Sequence, residues 1–300
     1  MGDALKGKAV VITGAGRGIG RETALAMGRE GANIIVNDLG GSALGIGNST
    51  GPADGVSEEV RKLGVGAIPN YESVADFQAA KRIVKSCMDN FGRIDILVNC
   101  AGIIRDNFFL EMSEEDWDTV IAVHLKGTFN CCRHALPLMK GQNYGRVINF
   151  CSGLWIRSEG HVNYGAAKAG ILSLTYGLGK EMTRYGITVN AILPLASTRL
   201  HDISRQTGIK LVEAGLMTRE FYEFMEKFPG AEFTSPMVVY LATEGASAIS
   251  GQAFRIAEGK IIRMAPPPEA GFIVKDVEKE GAWKLEELIE QVPKDLMTDC

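Results

Sequence analysis

The sequence predicts a doubly wound α/β fold: a seven-stranded parallel sheet with helices on both faces, in a single domain. Two observations carry this. Short Val/Ile-rich runs recur along the chain, and stretches of helical period fall between them. A third is the glycine-rich turn directly after the first apolar run, where such a fold opens its first helix. Strands covered on both faces read as continuous apolar runs and not as alternation, which is the pattern here.

The first strand is Lys8–Ile12, followed by the glycine turn and a helix over Arg21–Glu30. The second is Asn33–Asn37. A Gly/Ser loop, Gly40–Gly55, then precedes a short helix, Ser57–Leu63, and the third strand, Gly66–Pro69. Ala75–Asn90 has helical period and leads into the fourth strand, Ile94–Val98. Ser113 opens a long helix, because Ser-Glu-Glu-Asp resembles a capping box and sets acids at the positive end of the helix dipole. Strands five to seven are Arg146–Phe150, Ile187–Ile192 and Ala253–Ile256. The domain covers residues 1–263. An extension, 264–300, follows the Pro266–Pro268 run. In it Trp283, Leu285, Leu288, Ile289 and Val292 form a partial helical stripe, read as a helix packing on its own subunit or a neighbour.

Composition narrows the function. Lys and Arg total 32 against 36 Asp and Glu, a net charge of −4 over 300 residues with no basic cluster, which argues against nucleic-acid binding. No apolar run approaches the roughly 20 residues that span a bilayer, and the N-terminus lacks the shape of a signal peptide. The expectation is a cytoplasmic protein without a membrane partner. Its six cysteines, Cys87, Cys100, Cys131, Cys132, Cys151 and Cys300, show neither a CxxC pair nor zinc spacing. They read as buried small hydrophobes in a reducing compartment, and no metal site is expected.

Thr13–Gly20 (TGAGRGIG) follows the first strand and opens the first helix, with Gly14, Gly18 and Gly20 in GxxxGxG spacing. Missing side chains permit a tight turn and let backbone approach a pyrophosphate at a helix N-terminus. Asp38 ends the second strand, eighteen residues past Gly20. An acid there accepts hydrogen bonds from both adenosine ribose hydroxyls and repels a 2′-phosphate, so NAD is expected over NADP. Arg17, which could pair with that phosphate, is the opposing signal. Tyr164 and Lys168 stand at i, i+4 in a helical stretch and share a face. A neighbouring ammonium and a cationic nicotinamide would lower the phenol pKa, so that the tyrosine exchanges a proton with a substrate alcohol near neutral pH.

With these residues, Asn99-Cys-Ala-Gly102 and Ser152 in view, the chain resembles the short-chain dehydrogenases/reductases from Lys8 to about Arg263. The resemblance implies one Rossmann domain. It implies that Gly14, Arg17, Gly18, Ile19 and Gly20 hold the cofactor, together with Asn99, Ala101 and Gly102. Ser73 and Val74 would touch adenine, and Pro194 through Thr198 would receive the carboxamide. Tyr164 would be the acid/base, and Lys168 would hold the nicotinamide ribose and lower the Tyr164 pKa. Ser152 lies 12 residues before Tyr164, where the family usually has 13 and Cys151 stands. Counting along the fifth strand restores Ser152 as the catalytic serine, with a loop one residue short.

His124 replaces the family's usual Asn. It is expected to serve the same proton relay from Lys168 to solvent and to protonate near pH 6.5; the alternative is a backbone hydrogen bond beside the site. A narrower resemblance joins Asn37–Gly41, Asn70–Val74, Gly102–Asp106 and Val123–Leu125 to the (3R)-hydroxyacyl-CoA dehydrogenase modules of peroxisomal multifunctional enzymes of type 2. It is poor over Arg199–Gly230, and the absence of an SKL-type ending favours a stand-alone cytosolic enzyme.

The expected function is therefore NAD-dependent interconversion of a secondary alcohol and a ketone, with a 3-hydroxyacyl-CoA as one substrate class. The alternatives are a non-CoA cyclic or aromatic alcohol, or a non-catalytic NAD-binding partner subunit. Residues 198–230 mix Leu211, Val212, Leu216, Phe221, Tyr222, Phe224, Met225 and Phe228 with charges. They read as two short amphipathic helices forming a lid over a small-molecule substrate. The resemblance implies a homodimer or homotetramer.

Overall fold

The computed structural model describes residues 2–156, 158–257, 259–267 and 271–297. It separates into two compact units, Met1–Met264 and Ala265–Cys300. The first carries an eight-stranded sheet in the order β3-β2-β1-β4-β5-β6-β7-β8. The strands are β1 Ala9–Thr13, β2 Asn33–Asn37, β3 Ala67–Asn70, β4 Ile96–Asn99, β5 Gly145–Phe150, β6 Ile187–Pro194, β7 Ala253–Ala257 and β8 Lys260–Met264. Strands β1 to β7 pair in parallel.

The sequence gives one strand too few. β8 pairs antiparallel with β7, from Ala257 opposite Lys260 to Ala253 opposite Met264. Its residues are exposed or half-buried, so it lacks the continuous apolar run that marks the other strands. A short connection with Gly259 at φ +76° turns the chain back.

Each central strand feeds two cores because successive side chains point to opposite faces. Val10, Ile12, Ile34, Val36, Ile96 and Val98 face one side, where they meet α1 (Gly18–Arg29), α2 (Gly51–Arg61) and α9 (Ser235–Ala242). Ala9, Val11, Ile35, Leu97 and Val147 face the other, against α3 (Phe77–Phe91) and α5 (Gly127–Gln142). α2 begins inside the stretch expected to be loop. Its first turn carries Pro52, whose fixed φ and missing N–H suit that position.

The capping box at Ser113 is present and starts α4 (Glu114–Ile121). A π-helical turn, Ala122–Lys126, joins α4 to α5 and contains His124. α6 (Val162–Met182), α7 (Arg199–Glu213) and α8 (Arg219–Met225) complete the first unit. Among its described residues the second unit holds two short α-helices, Val277–Glu280 and Leu285–Gln291, the latter with Leu285 and Ile289 exposed and continued by a π-helical turn, Val292–Leu296. Pro268 and Cys300 fall outside the described residues.

The strand order reverses between β1 and β4, which leads out to β2 on one side and β5 on the other. In open parallel sheets the crevice beyond the carboxyl ends of such strands is where ligands bind.

Candidate active site

The glycine turn sits at that crevice. Gly14 (φ +67°) packs so closely that a Cβ would stand 2.7 Å from Ala101 Cα, and one on Gly20 would stand 2.2 Å from Gly14 O. These two glycines fold the loop. Gly18 (φ +51°) is less crowded, and a Cβ placed there would make ordinary contact with Thr198 Cγ2 at 3.7 Å. α1 starts at Gly18 with no side-chain cap and no acid in its first turn. Its first amides and the positive end of its dipole are thus left for an anion, and the cradle suits a dinucleotide pyrophosphate.

Asp38 is buried, and its carboxylate clips two loops together. Oδ2 accepts from Gly16 N–H at 2.9 Å and Oδ1 from Gly40 N–H at 2.7 Å. An ionised carboxylate has about four acceptor positions, so each oxygen retains one for a ribose hydroxyl.

Gly14, Arg17, Gly18, Ile19, Gly20, Asp38, Gly102, His124, Tyr164, Lys168, Pro194 and Thr198 line one cleft. Four expected contact residues do not. Asn99 Nδ2 donates to Asn149 Oδ1 at 2.9 Å, and Asn149 in turn to Thr175 Oγ1 at 3.0 Å, a buried chain tying β4 and β5 to α6. Ala101 N–H donates to Thr13 Oγ1. Ser73 Oγ accepts from Ala75 N–H, and Val74 is buried with its carbonyl accepting from Asn130. Conversely, Cys100, Phe150, Cys151, Arg199 and Leu200 line the cleft unforeseen. Arg17 and Arg199 both donate to Gly41 O, at 3.2 and 2.8 Å, and so tie the start of α7 to the Gly/Ser loop.

The chemical groups meet at Tyr164. Lys168, 4% exposed, donates through Nζ to Phe150 O at 2.6 Å and lies 5.3 Å from the Tyr164 ring centroid. Burial lowers its pKa to about 8, although the thiols of Cys151 and Cys100 oppose this. Burial raises the Tyr164 pKa, against the hydrogen bond with Ser152, which lowers it. The expected lowering of the phenol is therefore not supplied by the protein's own groups, because desolvation outweighs the hydrogen bond.

Ser152 and Cys151 are separated by their partners. Cys151 packs among Leu172, Ala191, Leu193 and Ala253 and donates its thiol to Lys168 O at 3.1 Å. Ser152 accepts from Leu154 N–H, and its hydroxyl is near enough to Tyr164 to lower the phenol pKa. Ser152→Ala is expected to cut turnover about a hundredfold by removing a donor to the substrate oxygen. Cys151→Ala should cost some stability but change turnover less than threefold. Steady-state kinetics of both variants checks this, and the opposite ranking would defeat the assignment.

His124 departs from its expected chemistry. It is 2% exposed, Nε2 lies 3.1 and 2.8 Å from Ile103 N and O, and its ring packs edge-on to Tyr164. Burial first, and then the Lys168 charge, lowers its pKa to about 3. The imidazole therefore stays neutral across the physiological range, and titration near pH 6.5 is corrected. Its Nδ1 has no partner among the described residues. Desolvation pushes the thiols of buried Cys87 and Cys132, and of half-buried Cys100 on the cleft wall, up to about 12, which disfavours their reactive thiolates.

A second cavity of about 570 Å³ opens beside the cleft and shares Ile19, Cys151, Tyr164, Pro194, Thr198 and Leu200 with it. Of the expected lid residues, Leu211, Leu216, Phe221, Met225 and Phe228 line it; Val212, Tyr222 and Phe224 do not. Among the described residues no helix is long and apolar enough to cross a membrane, and no three potential ligands cluster for a metal.

A family model described as short chain dehydrogenase matches residues 8–200. A short-chain type dehydrogenase/reductase of Mycobacterium tuberculosis is 40% identical over 262 residues, covering 86% of this chain and 85% of that protein. Mouse peroxisomal multifunctional enzyme type 2 is 38% identical over 270 residues, 90% of this chain but only 34% of that longer protein. The crystal structure of a short chain dehydrogenase from Mycobacterium avium superposes with a TM-score of 0.80 at 36% identity, covering 98% of this chain and 96% of that one.

Proposed function

Because the chain belongs to the short-chain dehydrogenase family and is an oxidoreductase of that family, we propose that it interconverts a secondary alcohol and a ketone with NAD. The observation that carries this reading is the position of Tyr164 on the wall shared by the glycine-lined cleft and the 570 Å³ cavity. When bound, the nicotinamide exchanges hydride with the substrate carbon and, in its oxidised form, brings the positive charge that lowers the phenol pKa.

This chain's residues do the rest. The first amides of α1 hold the pyrophosphate, Asp38 the adenosine ribose, and Lys168 the nicotinamide ribose. Ser152 donates to the substrate oxygen and orients it. Tyr164 gives that oxygen its proton in reduction and removes it in oxidation. The apolar side chains of α7 and α8 exclude water.

Asp38→Ser is expected to narrow the preference for NAD over NADP about tenfold or more, since repulsion of the 2′-phosphate disappears. Its loss of the Gly16 and Gly40 hydrogen bonds should also raise KM for both cofactors. Initial rates with each cofactor test this, and equal efficiency with both in the unaltered protein would overturn the NAD assignment.

Two substrate classes have support. The resemblance to the hydroxyacyl-CoA dehydrogenase modules favours a 3-hydroxyacyl-CoA. Phe221 and Phe228 on a cavity without Lys or Arg among its described lining favour an uncharged cyclic or aromatic alcohol. NADH formation over a panel of CoA thioesters and free alcohols, with free coenzyme A as competitor, separates them. No turnover of any secondary alcohol would defeat the proposal. The same reading includes a homodimer or homotetramer, which sedimentation velocity measures.

A further inference from the structure

Asp106 lies in the loop after β4, and His161 caps α6 one turn before Tyr164. The two side chains are 2% and 6% exposed, and His161 Nδ1 stands 2.7 Å from Asp106 Oδ1, a charge contact that is not aligned as a hydrogen bond. The other carboxylate oxygen of Asp106 accepts from two hydroxyls of α7, Ser204 at 3.2 Å and Thr207 at 3.3 Å. His161 lines the substrate cavity. Neither residue is used by the mechanism above. A buried carboxylate next to an imidazole on a substrate wall is costly to keep without a purpose.

The consequence is tautomer control. A lone pair on Nδ1 would face the negative oxygen and be repelled by it, so the ring keeps its proton on Nδ1. Nε2 is then the unprotonated nitrogen, with a lone pair, on a side chain that lines the cavity. Glu159 lines the same cavity as a second acceptor. A wall that offers acceptors selects a substrate with a donor.

We propose that His161, held by Asp106, accepts a hydrogen bond from a second hydroxyl on the substrate, next to the carbinol that Tyr164 serves. The substrate class is thus a hydroxylated secondary alcohol, a vicinal diol or its hydroxyketone. His161 is the specificity residue; Asp106 is a positioning residue acting through it and through α7. This deepens the dehydrogenase reading and rests on it for the identity of the reacting carbon.

The test compares 1-phenylpropane-1,2-diol with 1-phenylpropan-1-ol as NAD-linked substrates. It also compares binding of 2-hydroxy-2-methylpropiophenone and 2-methylpropiophenone, measured by calorimetry with saturating NAD, where no turnover occurs because the tertiary carbinol has no hydrogen to give and NAD cannot reduce the ketone. The unaltered protein should prefer the hydroxylated member of each pair. His161→Leu should reduce that preference about tenfold, through KM and not kcat, by weakening the hydroxylated member far more than the plain alcohol. His161→Gln, whose amide oxygen still accepts, should restore most of it. Asp106→Asn should also lose the preference, because an amide N–H facing Nδ1 moves the ring proton to Nε2. Equal losses on both members, or an unchanged preference in His161→Leu, would overturn the inference. If binding preference depends on His161 while no alcohol is oxidised, the inference stands and the dehydrogenase reading falls.

Discussion

Tyr164→Phe should lower turnover by roughly three orders of magnitude while cofactor affinity changes less than threefold. The ring stays, so its packing against His124 and beneath Lys168 survives; only the group that exchanges the proton is removed. The direction of its pKa shift adds a second expectation. Burial raises the phenol above its ordinary value, so the protonated form prevails near neutrality and serves ketone reduction directly. Alcohol oxidation needs the phenolate, and its rate should rise with pH while reduction changes little over the same span. Stopped-flow or steady-state rates in both directions from neutral to alkaline pH check this. Near-normal turnover in Tyr164→Phe, or a flat oxidation profile, would remove Tyr164 from the chemistry.

Much of this site could be read without coordinates because its signals are local. The glycine turn, Asp38 at the end of β2, and Tyr164 and Lys168 one turn apart are fixed by short spacing. Asp106 and His161 are not, because the pair exists only once α6, the loop after β4 and α7 converge. Arg199 escapes for the same reason: its partner Gly41 lies 158 residues away. In the sheet, runs such as Val10–Ile12 and Ile34–Val36 announce strands buried on both faces. β8 does not, because its pairing depends on a hairpin and its faces meet solvent. Gly51 and Pro52 read as loop by composition, yet they begin α2, since the first turn of a helix needs no N–H from proline. His124 illustrates a different limit. Its identity suggested a titrating relay, but full burial against Ile103 and the nearby Lys168 charge decide its protonation.

Lys168→Met should move activity and stability in opposite directions. Lys168 is buried with one described hydrogen bond, to Phe150 O, and no carboxylate pairs with it among the described residues. Desolvation holds its pKa near 8, below the 10.5 of a free lysine. An amine whose folded pKa is depressed binds its proton less tightly when folded than when unfolded. It therefore destabilises the fold below about pH 8, and that cost is relieved as pH rises from about 8 toward 10.5. Methionine fills much the same space without the charge. At pH 7 the variant should be more stable by about 2 kcal/mol, several degrees in Tm, and the gain should shrink as pH approaches 10. Turnover should fall on the order of a hundredfold or more, because the charge that supports the Tyr164 phenolate and the hold on the nicotinamide ribose are both lost. Such a trade is expected where a strained, unpaired group is kept for chemistry. Thermal melts across pH with parallel kinetics decide it. A Lys168→Met protein that melts lower at neutral pH, or that keeps full activity, would show that the ammonium is structural and that the proton-transfer assignment needs another source of charge.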